Sequence, residues 1–171
     1  MRLTRREALA ASVMVAGSLW LPASAASARS LAPILEYTDW LGERPTAESL
    51  RDRVVLLDVF TFACWNCQNV TPNLRALHRT KSPSDLVIIG IHTPETPYER
   101  DRDNVIANLK KLGITWPVAI DNNQRLWAAY NVEYWPTQMI FDRSGRLRKT
   151  IVGDSQDADV DSTVHALISE H

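Results

Sequence analysis

Val54 to Phe60 reads Val-Val-Leu-Leu-Asp-Val-Phe, a near-continuous apolar run of strand length, which predicts a central strand covered on both faces. Leu86 to Ile91 (Leu-Val-Ile-Ile-Gly-Ile) repeats the pattern. Between them the period changes: from Trp65 to about His78, Val70, Leu74 and Leu77 recur at three- and four-residue spacing and predict a helix, with Pro72 inside it as a source of a kink. Arg102 to Leu112 places Val105, Ile106, Leu109 and Leu112 on one stripe, with Gly113 as its stop. Val118 to Ile120 reads as a short strand and Asn123 to Tyr130 as a short helix. Gln138 to Asp142 and Leu147 to Val152 flank the turn sequence Asp142-Arg143-Ser144-Gly145 and predict a β-hairpin, and Asp157 to Ile168 a closing helix. The order β, α, β, α, β, α, β, β, α implies parallel crossovers early and antiparallel edge pairing late. The expected fold is α/β, a mixed sheet with helices on both faces.

The first 28 residues are excluded from that fold. Arg2, Arg5 and Arg6 precede an apolar stretch from Ala8 to Leu21, and Ala23-Ser24-Ala25 and Ala26-Ser27-Ala28 follow. This is the charged, apolar and small-residue order of a secretory signal, and Arg5-Arg6 before Ala8-Leu9 looks like a twin-arginine signal. The apolar run is about 14 residues against the ~20 that span a bilayer, so cleavage is expected rather than anchoring. Residues 1–28 are thus assigned to the signal and 29–171 to a single soluble domain in the periplasm or another extracytoplasmic compartment.

Composition adds two constraints. Without residues 1–25 the chain holds 16 Lys plus Arg against 19 Asp plus Glu, a mildly acidic balance that gives no basis for nucleic-acid binding. It has only two cysteines, Cys64 and Cys67, and they follow the first apolar strand directly in Phe62-Ala63-Cys64-Trp65-Asn66-Cys67. A domain of this size has core enough to fold without disulfide staples.

Three chemistries use Cys-X-X-Cys. A structural zinc site needs further ligands at knuckle spacing, and His78, His92, His165 and His171 do not provide them. A staple closing a two-residue loop constrains the unfolded chain little. A redox pair fits: the first sulfur stands where a helix begins, so the macrodipole and free N–H groups stabilise a thiolate, and the second, one turn on, can close upon it. No metal and no cofactor is expected.

With Asp58 six residues before Cys64, Pro72 five after Cys67, and Trp135-Pro136-Thr137 just ahead of the hairpin, the chain resembles the thioredoxin superfamily over roughly residues 34–170. The longer segment before the hairpin is similar to the strand–helix insertion of exported TlpA- and ResA-type redoxins. Gly90-Ile91-His92-Thr93-Pro94-Glu95, Ala119-Ile120-Asp121-Asn122-Asn123 and Tyr134-Trp135-Pro136 resemble the periplasmic domain of DipZ-like proteins. The sequence departs from the family at Ala63, where tryptophan is usual, at Trp65-Asn66 in place of Gly-Pro, and at Val70, acidic in ResA-type reductases.

The resemblance implies roles. Cys64 is the nucleophile and Cys67 the resolving thiol. Asp58 is either a buried carboxylate satisfied locally or a proton acceptor for Cys67. Pro136 is expected to be cis, with the Trp135 backbone beside it pairing with an extended substrate, and Trp65 and Asn66 are assigned to substrate contact. Trp65, Trp135 and Tyr134 form an apolar rim unless Trp135 packs the core instead. Phe60 is either an active-site aromatic or core. His92 and Glu95 lie near the site, His92 with a structural role, and Trp116 and Trp127 belong to the core.

The expected function is an exported thiol–disulfide oxidoreductase, monomeric, acting on protein thiols and disulfides and exchanging electrons with a separate redox protein, of which a membrane-bound one is a candidate. Two alternatives stand beside it. Thr61-Phe62-Ala63-Cys64 echoes the Thr-x-x-Cys of thiol peroxidases, although Leu57 replaces their proline. A copper-delivery protein of Sco type would use Cys-x3-Cys, and the spacing here is two.

Overall fold

A computed structural model describes residues 30–170; the signal assigned to residues 1–28 lies outside them. Its central strand is β2, Val54–Phe60, all seven residues of which are buried. Alternation along it divides the core. Val54, Leu56 and Phe60 join one apolar cluster with Cys67, Leu74, Val105, Leu109, Val160 and Val164. Val55, Leu57 and Val59 join a second with Ile34, Leu126 and Tyr130. A strand apolar on both faces is stable only with helices on both, and the chain supplies them. α2 (Trp65–Thr80), α3 (Arg102–Leu112) and α5 (Asp157–Ser169) cover the first face, and α1 (Ala32–Glu36) and α4 (Arg125–Ala129) the second.

The remaining strands are β1 (Trp40–Leu41), β3 (Leu86–His92), β4 (Val118–Ile120), β5 (Thr137–Phe141) and β6 (Leu147–Val152), ordered β1-β4-β3-β2-β5-β6 across the sheet. β2, β3 and β4 run parallel, while β1, β5 and β6 pair antiparallel with their neighbours. The mixed α/β sheet is the one expected, and the interposed α3 and β4 precede Pro136 as the insertion requires. Antiparallel pairing is not confined to the edge, however: β5 pairs with β2 along Val55↔Phe141 to Val59↔Thr137 and is buried throughout, leaving β6 outermost. β1 and α1 are additional to the expected elements, and α4 is shorter than Asn123 to Tyr130.

Local chemistry explains the boundaries. Gly113 ends α3 in the left-handed region at φ 67°, where glycine carries no Cβ penalty. In the hairpin turn, the Asp142 carboxylate accepts from Ser144 N at 3.0 Å, Ser144 Oγ at 2.6 Å and Arg146 N at 3.0 Å, the Asx geometry that fixes a tight turn. Among the described residues no helix is long and apolar enough to cross a membrane.

Candidate active site

The end of β2, the start of α2 and the segment before β5 converge at one end of the sheet. Cys64 is the N-cap of α2: its backbone is extended (φ −73°, ψ 120°), and its Sγ accepts from Cys67 N at 3.3 Å. The sulfur occupies the place of the serine or aspartate oxygen in an ordinary cap. Both cysteines carry free thiols, Cys64 partly accessible and Cys67 buried. Burial, followed by the hydrogen bond with Cys64, pushes the Cys67 thiol far above its ordinary range, and the Asp58 charge adds to the rise.

Asp58 lies in β2 on the same face as Leu56 and Phe60, beneath α2, and is buried. Burial pushes its carboxyl up to about 7, offset in part by the Gln138 side chain. Among the described residues its Oδ1 has no hydrogen-bond partner, so the Gln138 side chain satisfies the carboxyl only in part. A buried acid in that condition holds its proton until near neutral pH.

The Trp135–Pro136 peptide bond is cis, as the sequence led us to expect. Pro136 is buried and Trp135 half-buried. The Trp135 indole packs at a tilt of 39° against Trp127, 4.2 Å between centroids, and donates from Nε1 to Thr93 O at 3.1 Å. Its side chain therefore serves packing more than the rim, whereas Trp65 and Tyr134 are 74% and 63% exposed. Asn66 is exposed beside Trp65. Trp116 is buried and Trp127 half-buried, both within the core clusters, and Phe60 is core. Among the described residues no cluster of His, Cys, Asp and Glu could hold a metal ion.

One family model, described as thioredoxin-like, matches residues 52–147. The chain belongs to the thioredoxin-like family. Protein DipZ of Mycobacterium bovis is 34% identical over 137 residues, which is 78% of this chain and 20% of DipZ; the chain thus spans about a fifth of that relative. Thiol-disulfide oxidoreductase YkuV of Bacillus subtilis is 25% identical over 77% of this chain and 88% of its own. Among solved structures, a thiol-disulfide isomerase from Corynebacterium glutamicum superposes with a TM-score of 0.72 at 27% identity, covering 80% of this chain and 95% of that one. The resemblance read from Asp58, Cys64, Cys67, Pro72 and Pro136 thus agrees with similarity that extends over 80% of the chain.

This thioredoxin-like site has a buried polar layer that residue spacing did not bring forward. Glu99, in the 3-10 turn Pro97–Arg100, is fully buried. It accepts from the Thr61 hydroxyl and from Ala63 N at 3.3 Å on one oxygen, and from Glu95 N at 3.0 Å, Thr96 N at 2.7 Å and Thr96 Oγ1 at 3.0 Å on the other. Burial raises its affinity for a proton, but the hydrogen bonds from Thr61, Thr96 and Ala63 outweigh that and hold the carboxyl below its usual range. His92 Nε2 lies 3.4 Å from Thr61 Oγ1, and the ring stacks on Phe62 at 5.3 Å. Burial lowers His92 to about 4, so it is neutral at neutral pH. Its ring is thus enclosed between Thr61 and Phe62, while Glu95 is exposed. The Thr61 hydroxyl, in the Thr-x-x-Cys stretch, is committed to Glu99. A signal for this layer existed in the sequence: Thr96-Pro97-Tyr98-Glu99 is the Thr-x-x-Glu of a capping box.

Proposed function

We propose that the protein is an exported thiol–disulfide oxidoreductase whose Cys64–Cys67 pair exchanges with protein substrates. The observation that carries this reading is the placement of Cys64 Sγ at the N-cap of α2, above a buried Cys67 and a buried Asp58. In the reducing direction the Cys64 thiolate attacks one sulfur of a target disulfide, forming a mixed disulfide and releasing the other target sulfur as thiolate. Asp58 accepts the Cys67 proton, and Cys67 then attacks Cys64 Sγ. The target leaves with the electron pair and the protein is left as the Cys64–Cys67 disulfide. The oxidising direction is the reverse.

The exposed Trp65 and Asn66, with the Trp135–Pro136 backbone, form the surface against which an extended target segment lies. The twin-arginine-like sequence in residues 1–28 supports an extracytoplasmic location, and the names of the YkuV and Corynebacterium glutamicum relatives support the chemistry. The test is dithiothreitol-driven insulin reduction by the protein and by Cys64→Ser: activity in the first and none in the second is expected, and equal rates would remove Cys64 from its role.

A further inference from the structure

The residue preceding Cys64 is Ala63, exposed and with a single side-chain carbon, so the nucleophile's own neighbour provides almost no wall on that flank. The Pro97–Arg100 turn meets this loop, with Glu99 accepting from Ala63 N at 3.3 Å. Tyr98, in the turn after β3, packs edge-on against Phe62 with ring centroids 5.8 Å apart and an interplanar angle of 81°. It is nevertheless 61% exposed, so most of the ring lies open to solvent beside the Cys64 loop.

An exposed tyrosine in a loop ordinarily samples many positions, but this one is held at both ends of its contact. Glu99, the next residue, ties the turn to the Cys64 loop through Thr61 and Ala63, and ties the turn to itself through Glu95 and Thr96. Phe62 is in turn fixed by the stacked His92 ring. The ring is therefore presented in a set place at little further entropic cost on binding, which is the condition under which an exposed aromatic contributes to recognition.

We propose that Tyr98 is a specificity-determining residue that forms the missing wall beside Cys64 and favours target disulfides whose cysteine is flanked by apolar side chains. The inference rests on the oxidoreductase reading above and names the substrate class of that same site. Trp65, the residue after Cys64, and Tyr98 then present two open aromatic faces to one peptide segment.

The experiment compares the protein with Tyr98→Ala and Tyr98→Phe on two disulfide-linked peptides, one with Leu and Phe beside its cysteine and one with Ser and Asp, recycled by dithiothreitol. Stoichiometric exchange with dithiothreitol alone is measured in parallel. For Tyr98→Ala the KM of the apolar peptide rises about fivefold, in keeping with one aromatic contact, with kcat, the polar peptide and the dithiothreitol exchange unchanged; Tyr98→Phe behaves as the unaltered protein. An equal change for both peptides, no change for the apolar one, or a loss in Tyr98→Phe matching that in Tyr98→Ala overturns the inference. Failure of the unaltered protein to exchange with dithiothreitol would instead overturn the oxidoreductase reading, and this inference with it.

Discussion

Asp58 and Gln138 stand opposite one another across the β2–β5 ladder, both buried, and the Gln138 side chain is the polar neighbour that tempers the rise in the Asp58 carboxyl. The placement makes Asp58 protonated in the folded chain at pH values where the unfolded chain has already ionised.

The sign of the pH dependence follows. The Asp58 carboxyl lies near 7 in the folded state against an ordinary 3.8, so between those values the folded state binds the extra proton. Stability from this group is present below about pH 4, falls by up to about 1.4 kcal/mol per pH unit as pH rises towards 7, and is level above it. Urea denaturation across pH 4 to 9 should show this slope in the protein and not in Asp58→Asn.

Glu99 should show the opposite sign. Its carboxyl is held below the usual range, so the stability it contributes is present at neutral pH and is lost as pH falls through its folded value. Glu99→Ala leaves the N–H groups of Glu95 and Thr96 without this acceptor, and the loss of charged hydrogen bonds should cost about 2 to 3 kcal/mol at pH 7. Most of that difference should disappear in strong acid, read by the same denaturation series.

Trapping separates the two cysteines. Cys67→Ser should accumulate a mixed disulfide at Cys64 with a peptide disulfide, detectable by intact mass, whereas Cys64→Ser should form none because Cys67 is buried. Asp58→Asn should slow the resolving step about 100-fold near neutral pH, the usual scale of a positioned proton acceptor, with the deficit shrinking at higher pH. Stopped-flow quenching of the mixed disulfide measures it.

Gly90 carries a packing prediction. A Cβ there would meet Phe60 Cε1 and Val118 Cγ2 at 3.0 Å and Trp116 Nε1 at 3.4 Å. Gly90→Ala should therefore destabilise the domain by about 1 to 3 kcal/mol through overpacking, a lowered urea midpoint at unchanged slope.

The legible parts of the fold were those with a long apolar run or a repeated apolar spacing. β2, β3, α2, α3 and α5 each present enough apolar positions to declare their period, and they fall where the pattern puts them. β1 is two residues long and α1 five, too short for any period to emerge. The interior place of β5 is a matter of pairing between distant segments, which local pattern does not encode, although its unbroken burial from Thr137 to Phe141 is what a strand flanked on both sides requires. At the site, Cys64, Cys67, Asp58 and Pro136 stood out because their types are rare in their settings. Glu99 did not, since a buried acid in a loop looks like a solvated one until the donors around it are known, and Thr61 stood out only for its spacing to Cys64 and not as the partner of Glu99.

The strand that delivers the cysteines is also the one held most securely: β2 is laddered on both edges, parallel to β3 and antiparallel to β5, and packed on both faces. Its amides should open to deuterium only with the whole domain. Chemistry at Cys64 is thus mounted on the part of the molecule that opens last, so the sulfur stays in register from one target to the next.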